Sequence, residues 1–160
     1  MPALKVMFVC TGNICRSPTA EAVMRGMLNS ERLQDSVRVG SAGTHDYHVG
    51  EKPDRRSVAA AARRGYDLTV IRARQISPQD LRDCDYVLAM DRGHLAHLRS
   101  LARAEFRAEL RLFLDYSTAR PGGDVPDPYY GGEQGFEAVL DLIEDGARGV
   151  LADIKKRLGI

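Results

Sequence analysis

Cys10 and Arg16 stand six positions apart in the run Cys10-Thr11-Gly12-Asn13-Ile14-Cys15-Arg16-Ser17. Those residue types in one loop can do phosphoryl chemistry. A thiolate is a strong nucleophile, and a guanidinium is a planar two-pronged donor that matches two oxygens of a phosphate-like dianion. Gly12 and Asn13 tolerate the left-handed backbone angles of a tight turn, so the N–H groups between the two side chains can curl around one anion. Ser17 can donate a hydrogen bond to the Cys10 sulfur, stabilising it as an anion and later as a leaving group. A cysteine six residues before an arginine is by itself a common coincidence, so the weight lies in where the run sits.

The neighbouring elements put it at a helix N-terminus, where unpaired N–H groups and the positive dipole end favour an anion and, for Cys10, the thiolate. Leu4 to Val9 is a short apolar run ended by Gly12 and Asn13, which predicts a buried strand. After the loop, Ser17 stands where an N-cap belongs and Pro18 at the first helical position. Ala20, Val23, Met24, Met27 and Leu28 then follow on one face. Ser36 to Val39 predicts a second strand before a turn at Ser41-Ala42-Gly43, and Asp54 to Arg64 a helix stopped by Gly65. Tyr86 to Met90, Gly93 to Ala104 and Leu110 to Leu114 predict strand, helix and strand, and the stripe from Phe136 to Leu158 a long last helix. This alternation predicts an α/β fold, a four-stranded parallel sheet with helices on both faces in the doubly wound, flavodoxin-like manner. Ligands of such sheets sit at the C-terminal ends of the strands. Asp115 to Gly132 breaks the alternation with three prolines and four glycines, a loop long enough to carry function.

The composition narrows the function classes. A chain of 160 residues fits one domain, 1–160, and 44% hydrophobic with 28% charged residues argues against disorder. The 23 basic and 22 acidic residues leave a net charge of +1, so nothing global draws the chain to nucleic acid or a membrane. Three cysteines, an odd number, predict reduced thiols in a cytoplasmic protein. The run Val6 to Cys10 is too short for a signal segment or a membrane span.

Val9 to Pro18 closely resembles the signature of the low-molecular-weight protein tyrosine phosphatases, and Asp127-Pro128-Tyr129-Tyr130 resembles their second motif. Ser41-Ala42-Gly43-Thr44, Arg74-Gln75-Ile76 and Met90-Asp91 resemble further stretches of that family in the same order, so the resemblance spans essentially the whole chain. It implies the phosphotyrosine phosphatase I type of fold and a metal-independent hydrolase without cofactor, acting on phosphotyrosine-containing proteins and holding phosphate or similar oxyanions. It further implies that Cys10 attacks phosphorus to form a phosphocysteine. The amides of Thr11, Gly12, Asn13, Ile14, Cys15 and Ser17, with the Arg16 guanidinium, would hold the equatorial oxygens. Asp127 then resembles the general acid that protonates the leaving phenolate and the base that activates water. Asn13 and Ser41 resemble the pair that braces the strained loop. Tyr47, Tyr129 and Tyr130 are expected to wall the pocket. Phosphoarginine phosphatases of the family carry threonine where Ile14 aligns, so Ile14 points to tyrosine. A histidine that many members carry before Arg-Gln-Ile is Ile71 or Arg72 here.

Cys15 shares the loop with Cys10 and is a candidate to capture it as a protective disulfide after oxidation. Cys84, between Asp83 and Asp85, reads as structural, and His45, His48, His94 and His97 as surface or packing residues. Tyr129 and Tyr130, with their predicted exposure, are candidates for phosphorylation by a cognate tyrosine kinase. They also suit occlusion of the pocket in a transient dimer, so a monomer or weak dimer is expected. Hydrolysis of phosphoarginine is the alternative activity. Arsenate reductases share the fold and loop, but they relay a disulfide through additional cysteines, and none follows Cys84. A phosphate-binding module without catalysis would not need Cys10 and Asp127 together.

Overall fold

The computed structural model describes residues 4–102, 106, 108–129 and 132–160. Strand β1 (Leu4–Cys10) leads through helix α1 (Arg16–Ser30) to β2 (Val37–Gly43), and α2 (Arg55–Ala62) and α3 (Pro78–Asp83) precede β3 (Tyr86–Ala89). Helix α4 (Arg92–Leu101), β4 (Glu109–Leu112), a 3-10 turn (Phe113–Tyr116) and α5 (Gly132–Leu158) complete the order. The four strands are parallel in the order β2-β1-β3-β4, as the alternation of elements predicts.

Strand β1 is a continuous apolar run because helices cover both faces of the sheet. Val6, Phe8 and Cys10 face a core shared with α1 and α5, while Met7 and Val9 face a second one with α3 and α4. Phe8 meets Phe113 edge to face at 5.3 Å, a geometry worth about 0.5–1.5 kcal/mol beyond the area it buries. On α5 the predicted stripe is buried from Phe136 to Ile154, with Leu158 partly buried at its end.

Several expected boundaries move. Helix α1 begins at Arg16 with Cys15 as N-cap, not at Pro18 behind a Ser17 cap, because the Ser17 hydroxyl is engaged at the Cys10 sulfur. The Ser41-Ala42-Gly43 turn is instead the end of β2, paired with β1 up to Gly43 opposite Cys10. Small residues read as a turn are what a strand needs where it passes close to a loop: a Cβ on Gly43 would lie 2.7 Å from the Thr11 carbonyl oxygen. Strand β4 ends at Leu112, and Phe113 and Leu114 belong to the 3-10 turn, which also takes Asp115 and Tyr116 from the expected loop. Helix α3 was not expected; Ser77-Pro78 starts it, with the Ser77 amide donating to Asp80 Oδ2 at 2.8 Å, but six residues are too few to show periodicity. Ala104, the expected end of α4, lies outside the described residues.

Two anchors bring the long segment back over the sheet. Asp145 on α5 accepts hydrogen bonds from Ser117, Thr118 and the Ala119 amide, and the Val125 amide donates to the Met90 carbonyl at 2.8 Å, just beyond β3. Asp127 is thereby delivered to the C-terminal end of the sheet, where Cys10 ends β1.

Candidate active site

The chain leaves β1 at Cys10 and enters α1 at Arg16, so residues 11–15 form a tight loop at a helix N-terminus. Asn13 closes it in the left-handed region, at φ +59°, a conformation that costs most residues about 1 kcal/mol or more. Side-chain bonds offset that cost. Asn13 Nδ2 donates to Ser17 Oγ at 2.8 Å and to Ser41 Oγ at 3.0 Å, and the Arg74 amide donates to Asn13 Oδ1 at 3.0 Å. The Ser41 hydroxyl donates to Glu21 Oε1 at 2.6 Å, a buried carboxylate paired with Arg25. The expected bracing pair is therefore part of a longer chain of bonds. Of the two positions expected to stand in place of the family's histidine, Ile71 is buried in the core and Arg72 is exposed, and the Arg74 amide holds Asn13.

Cys10 Sγ lies 3.0 Å from Ser17 Oγ. Ser17 accepts from Asn13, and its own proton can go to the sulfur or to the Ala42 carbonyl, which is the more distant at 3.3 Å. Arg16 is buried, and its Nη1 donates to Asp91 Oδ2 at 2.9 Å and to the Val125 carbonyl at 3.0 Å. Asp91 also caps α4, accepting from the His94 amide at 2.9 Å. Burial alone would raise its carboxyl, but the His94 amide and Arg16 hold it below the usual carboxylate range. Asp127 Oδ2 stands 3.6 Å from Arg16 Nη2, and its Oδ1 accepts from the Tyr129 amide at 3.0 Å.

These groups surround a cleft of about 260 Å³. Cys10, Thr11, Gly12, Ile14, Cys15 and Arg16 form its loop side; Tyr47, His48, Asp127 and Tyr129 form its rim. Of the expected site residues, Asn13, Ser17 and Ser41 stand behind the loop, and Tyr130 lies outside the described residues. Tyr47 is exposed and stacks on His45 at 4.9 Å, and Tyr129 receives the Arg56 guanidinium at 5.3 Å.

Two histidines lie beside the loop: His48 is the surface residue expected, and His94 adds a polar partner to its packing. His48 lies at the cleft wall, bonded to Glu51 at 2.7 Å, and its ring would meet a Cβ on Gly12 at 2.7 Å. His94 is buried, with Nε2 2.8 Å from Thr11 Oγ1. Burial, and then the charge of Arg16, push His94 down to about 4, so it is neutral at physiological pH. The His94 contact could not be found from spacing, since it reaches Thr11 across 83 residues. Burial and the Asp54 carboxylate push the Cys15 thiol up to about 12, and burial raises Cys84 to about 11, so both stand as thiols.

Among the described residues no group of three or more His, Cys, Asp or Glu side chains is arranged to hold a metal ion. No described helix is long and apolar enough to cross a membrane.

The family model for low molecular weight phosphotyrosine protein phosphatases matches residues 5–159. A low molecular weight protein-tyrosine-phosphatase of Streptomyces coelicolor is 46% identical over 157 residues, which cover 96% of this chain and 95% of that protein. A crystal structure of a protein tyrosine phosphatase from Entamoeba histolytica superposes with a TM-score of 0.89 at 36% identity, covering 98% of each chain. The Drosophila arginine phosphatase structure superposes with a TM-score of 0.88 at 34% identity, covering 95% of this chain and 98% of that one. With sequence and fold matched along nearly the whole length, the chain belongs to the low molecular weight phosphotyrosine protein phosphatase family.

Proposed function

We propose that residues 1–160 act as one domain that hydrolyses phosphotyrosine monoesters of proteins through a phosphocysteine on Cys10. The observation that carries this is the convergence on one cleft of Cys10 and Arg16, from the loop after β1, with Asp127, from a segment more than a hundred residues further along the chain. The Cys10 thiolate attacks phosphorus, an S–P bond forms, the P–O bond breaks and Asp127 gives its proton to the departing phenolate. Asp127 then takes a proton from water as that water attacks phosphorus, the S–P bond breaks, and phosphate leaves with the thiolate restored. Transferred phosphoryl charge is spread over three oxygens, so stabilisation by fixed donors is the main catalytic lever. The loop amides at the start of α1 and Arg16 are those donors. Asp91 and the Val125 carbonyl hold the guanidinium in place, so little reorganisation is left for the reaction.

Ile14, Tyr47 and Tyr129 make the cleft walls apolar and aromatic, which suits a phenyl ring better than a guanidinium. The test is phosphate release from matched phosphotyrosine, phosphoserine and phosphoarginine peptides without added metal, with Cys10→Ser beside the wild type. Fast phosphotyrosine turnover abolished by the substitution is expected. Turnover mainly of phosphoarginine would keep the mechanism and overturn the choice of substrate; the fold alone does not separate the two, because the Drosophila arginine phosphatase shares it.

A further inference from the structure

One turn of α4 touches both ends of the nucleophile loop. Asp91 Oδ2 takes Arg16 Nη1 at 2.9 Å, and three residues on, His94 Nε2 meets Thr11 Oγ1 at 2.8 Å. Thr11 follows the nucleophile directly and Arg16 closes the loop, so this single segment bears on the separation between the attacking sulfur and the guanidinium.

The imidazole itself is in an unusual state. It is 5% exposed, and Nδ1 is buried without a hydrogen-bond partner among the described residues. Asp91 Oδ1 lies 3.1 Å from Nδ1 but outside hydrogen-bonding alignment. A buried polar atom left unpaired costs about 1–3 kcal/mol, so a ring held for packing alone would be better replaced by an apolar one. The bond to Thr11 is what the ring gains at its other nitrogen. The carboxylate also decides the tautomer, since a lone pair on Nδ1 would face a negative oxygen whereas a proton there is attracted to it. The proton therefore sits on Nδ1, Nε2 is the acceptor, and the Thr11 hydroxyl donates.

We propose that His94 is a positioning residue for phosphoryl transfer: as a neutral Nδ1–H imidazole it anchors the Thr11 end of the nucleophile loop while its own turn of helix anchors the Arg16 end. This rests on the phosphatase reading above. Neutrality is part of the device, because a cation at this position would stand beside Arg16 and compete with it for Asp91. The loss on breaking the anchor falls on kcat rather than KM, since a shifted loop still binds a dianion but misplaces the sulfur against the transition state.

The test is steady-state hydrolysis of p-nitrophenyl phosphate by His94→Ala, Thr11→Val, the double variant and Thr11→Ser, with the tautomer of wild-type His94 read by nitrogen-15 NMR. Each of the first two is expected to lower kcat about tenfold with KM within about twofold, as a small misplacement of reacting groups does. Because they remove the same bond, the double variant is expected to be no worse than the poorer single one. Thr11→Ser, which restores a hydroxyl, regains most of the loss seen in Thr11→Val, and NMR finds Nδ1 protonated and Nε2 bare at neutral pH. Additive losses of about a hundredfold in the double variant would overturn the proposal, as would losses confined to KM. Full activity of Thr11→Val, or a proton on Nε2, would also overturn it. If His94→Ala does not fold, the nearly isosteric Thr11→Val, its comparison with Thr11→Ser and the NMR tautomer still decide. A wild type without Cys10-dependent turnover would instead sink the phosphatase reading, and the tautomer would then judge the anchor alone.

Discussion

Asp127 has one carboxylate oxygen tied to the Tyr129 amide and the other 3.6 Å from Arg16, at the open rim of the cleft. A group so placed can exchange protons with a leaving oxygen and with water. Asp127→Ala is therefore expected to lower kcat on phosphotyrosine peptides about 10²–10⁴-fold, with a smaller loss on aryl phosphates whose leaving groups need no proton. Steady-state rates on the two substrate types check this. His94 makes a second prediction, through stability. The unfolded imidazole protonates near 6.5 and the folded one only near 4, so protons bind the unfolded chain preferentially between those values. Stability is then complete above about 6.5 and falls by about 2–3 kcal/mol as the pH drops towards 4. Urea unfolding at several pH values is expected to show this slope in the wild type and a flatter one in His94→Gln. At this scale Cys10 and Arg16 were legible from type and neighbours, whereas Asp127 was legible only through the family resemblance, since an Asp-Pro pair alone reads as a turn. Asp91, His94, the Val125 carbonyl and the Arg74 amide were not, because each reaches the loop across 61 to 109 residues of chain.

The 3-10 turn at Phe113–Tyr116 is the root from which the segment bearing Asp127 departs, and α5 packs directly on it. Gly149 is where they meet, for a Cβ there would be driven into the Tyr116 carbonyl. Alanine in a helix interior is favoured over glycine by about 1 kcal/mol, whereas overpacking a fixed backbone costs about 1–3 kcal/mol or more. The clash should win, so Gly149→Ala is expected to lower the unfolding free energy by a net of about 1–2 kcal/mol, read as a lower urea midpoint instead of a higher one. The long stripe of α5 was legible because its apolar residues recur over many turns. The end of β2 was not, since Ser41, Ala42 and Gly43 carry no strand propensity and are small to let the loop pass. The start of α1 was misplaced for a related reason: Ser17 is a good N-cap by type, but tertiary contacts at Cys10 and Asn13 take its hydroxyl.

On the scale of the whole molecule, a net charge of +1 provides no general attraction for anions, so affinity for oxyanions resides in the loop and Arg16. An anion bound there stabilises the folded state by mass action, about 2.7 kcal/mol at a hundredfold excess over Kd, or about 5–10 °C in Tm for a chain of this size. Thermal unfolding with phosphate or vanadate is expected to show that rise in the wild type and its loss in Arg16→Ala. The parallel α/β architecture was legible from alternation alone, because strands buried on both faces and amphipathic helices differ in period. The measurement that bears most directly on the account is mass spectrometry of Asp127→Ala quenched in acid during turnover of p-nitrophenyl phosphate, whose leaving group needs no proton, so that the intermediate forms while its hydrolysis is slowed. One phosphoryl group on the peptide containing Cys10, absent from a Cys10→Ser control, is the result expected. A phosphoryl group on any other residue, or product released without a covalent intermediate under burst conditions, would contradict it.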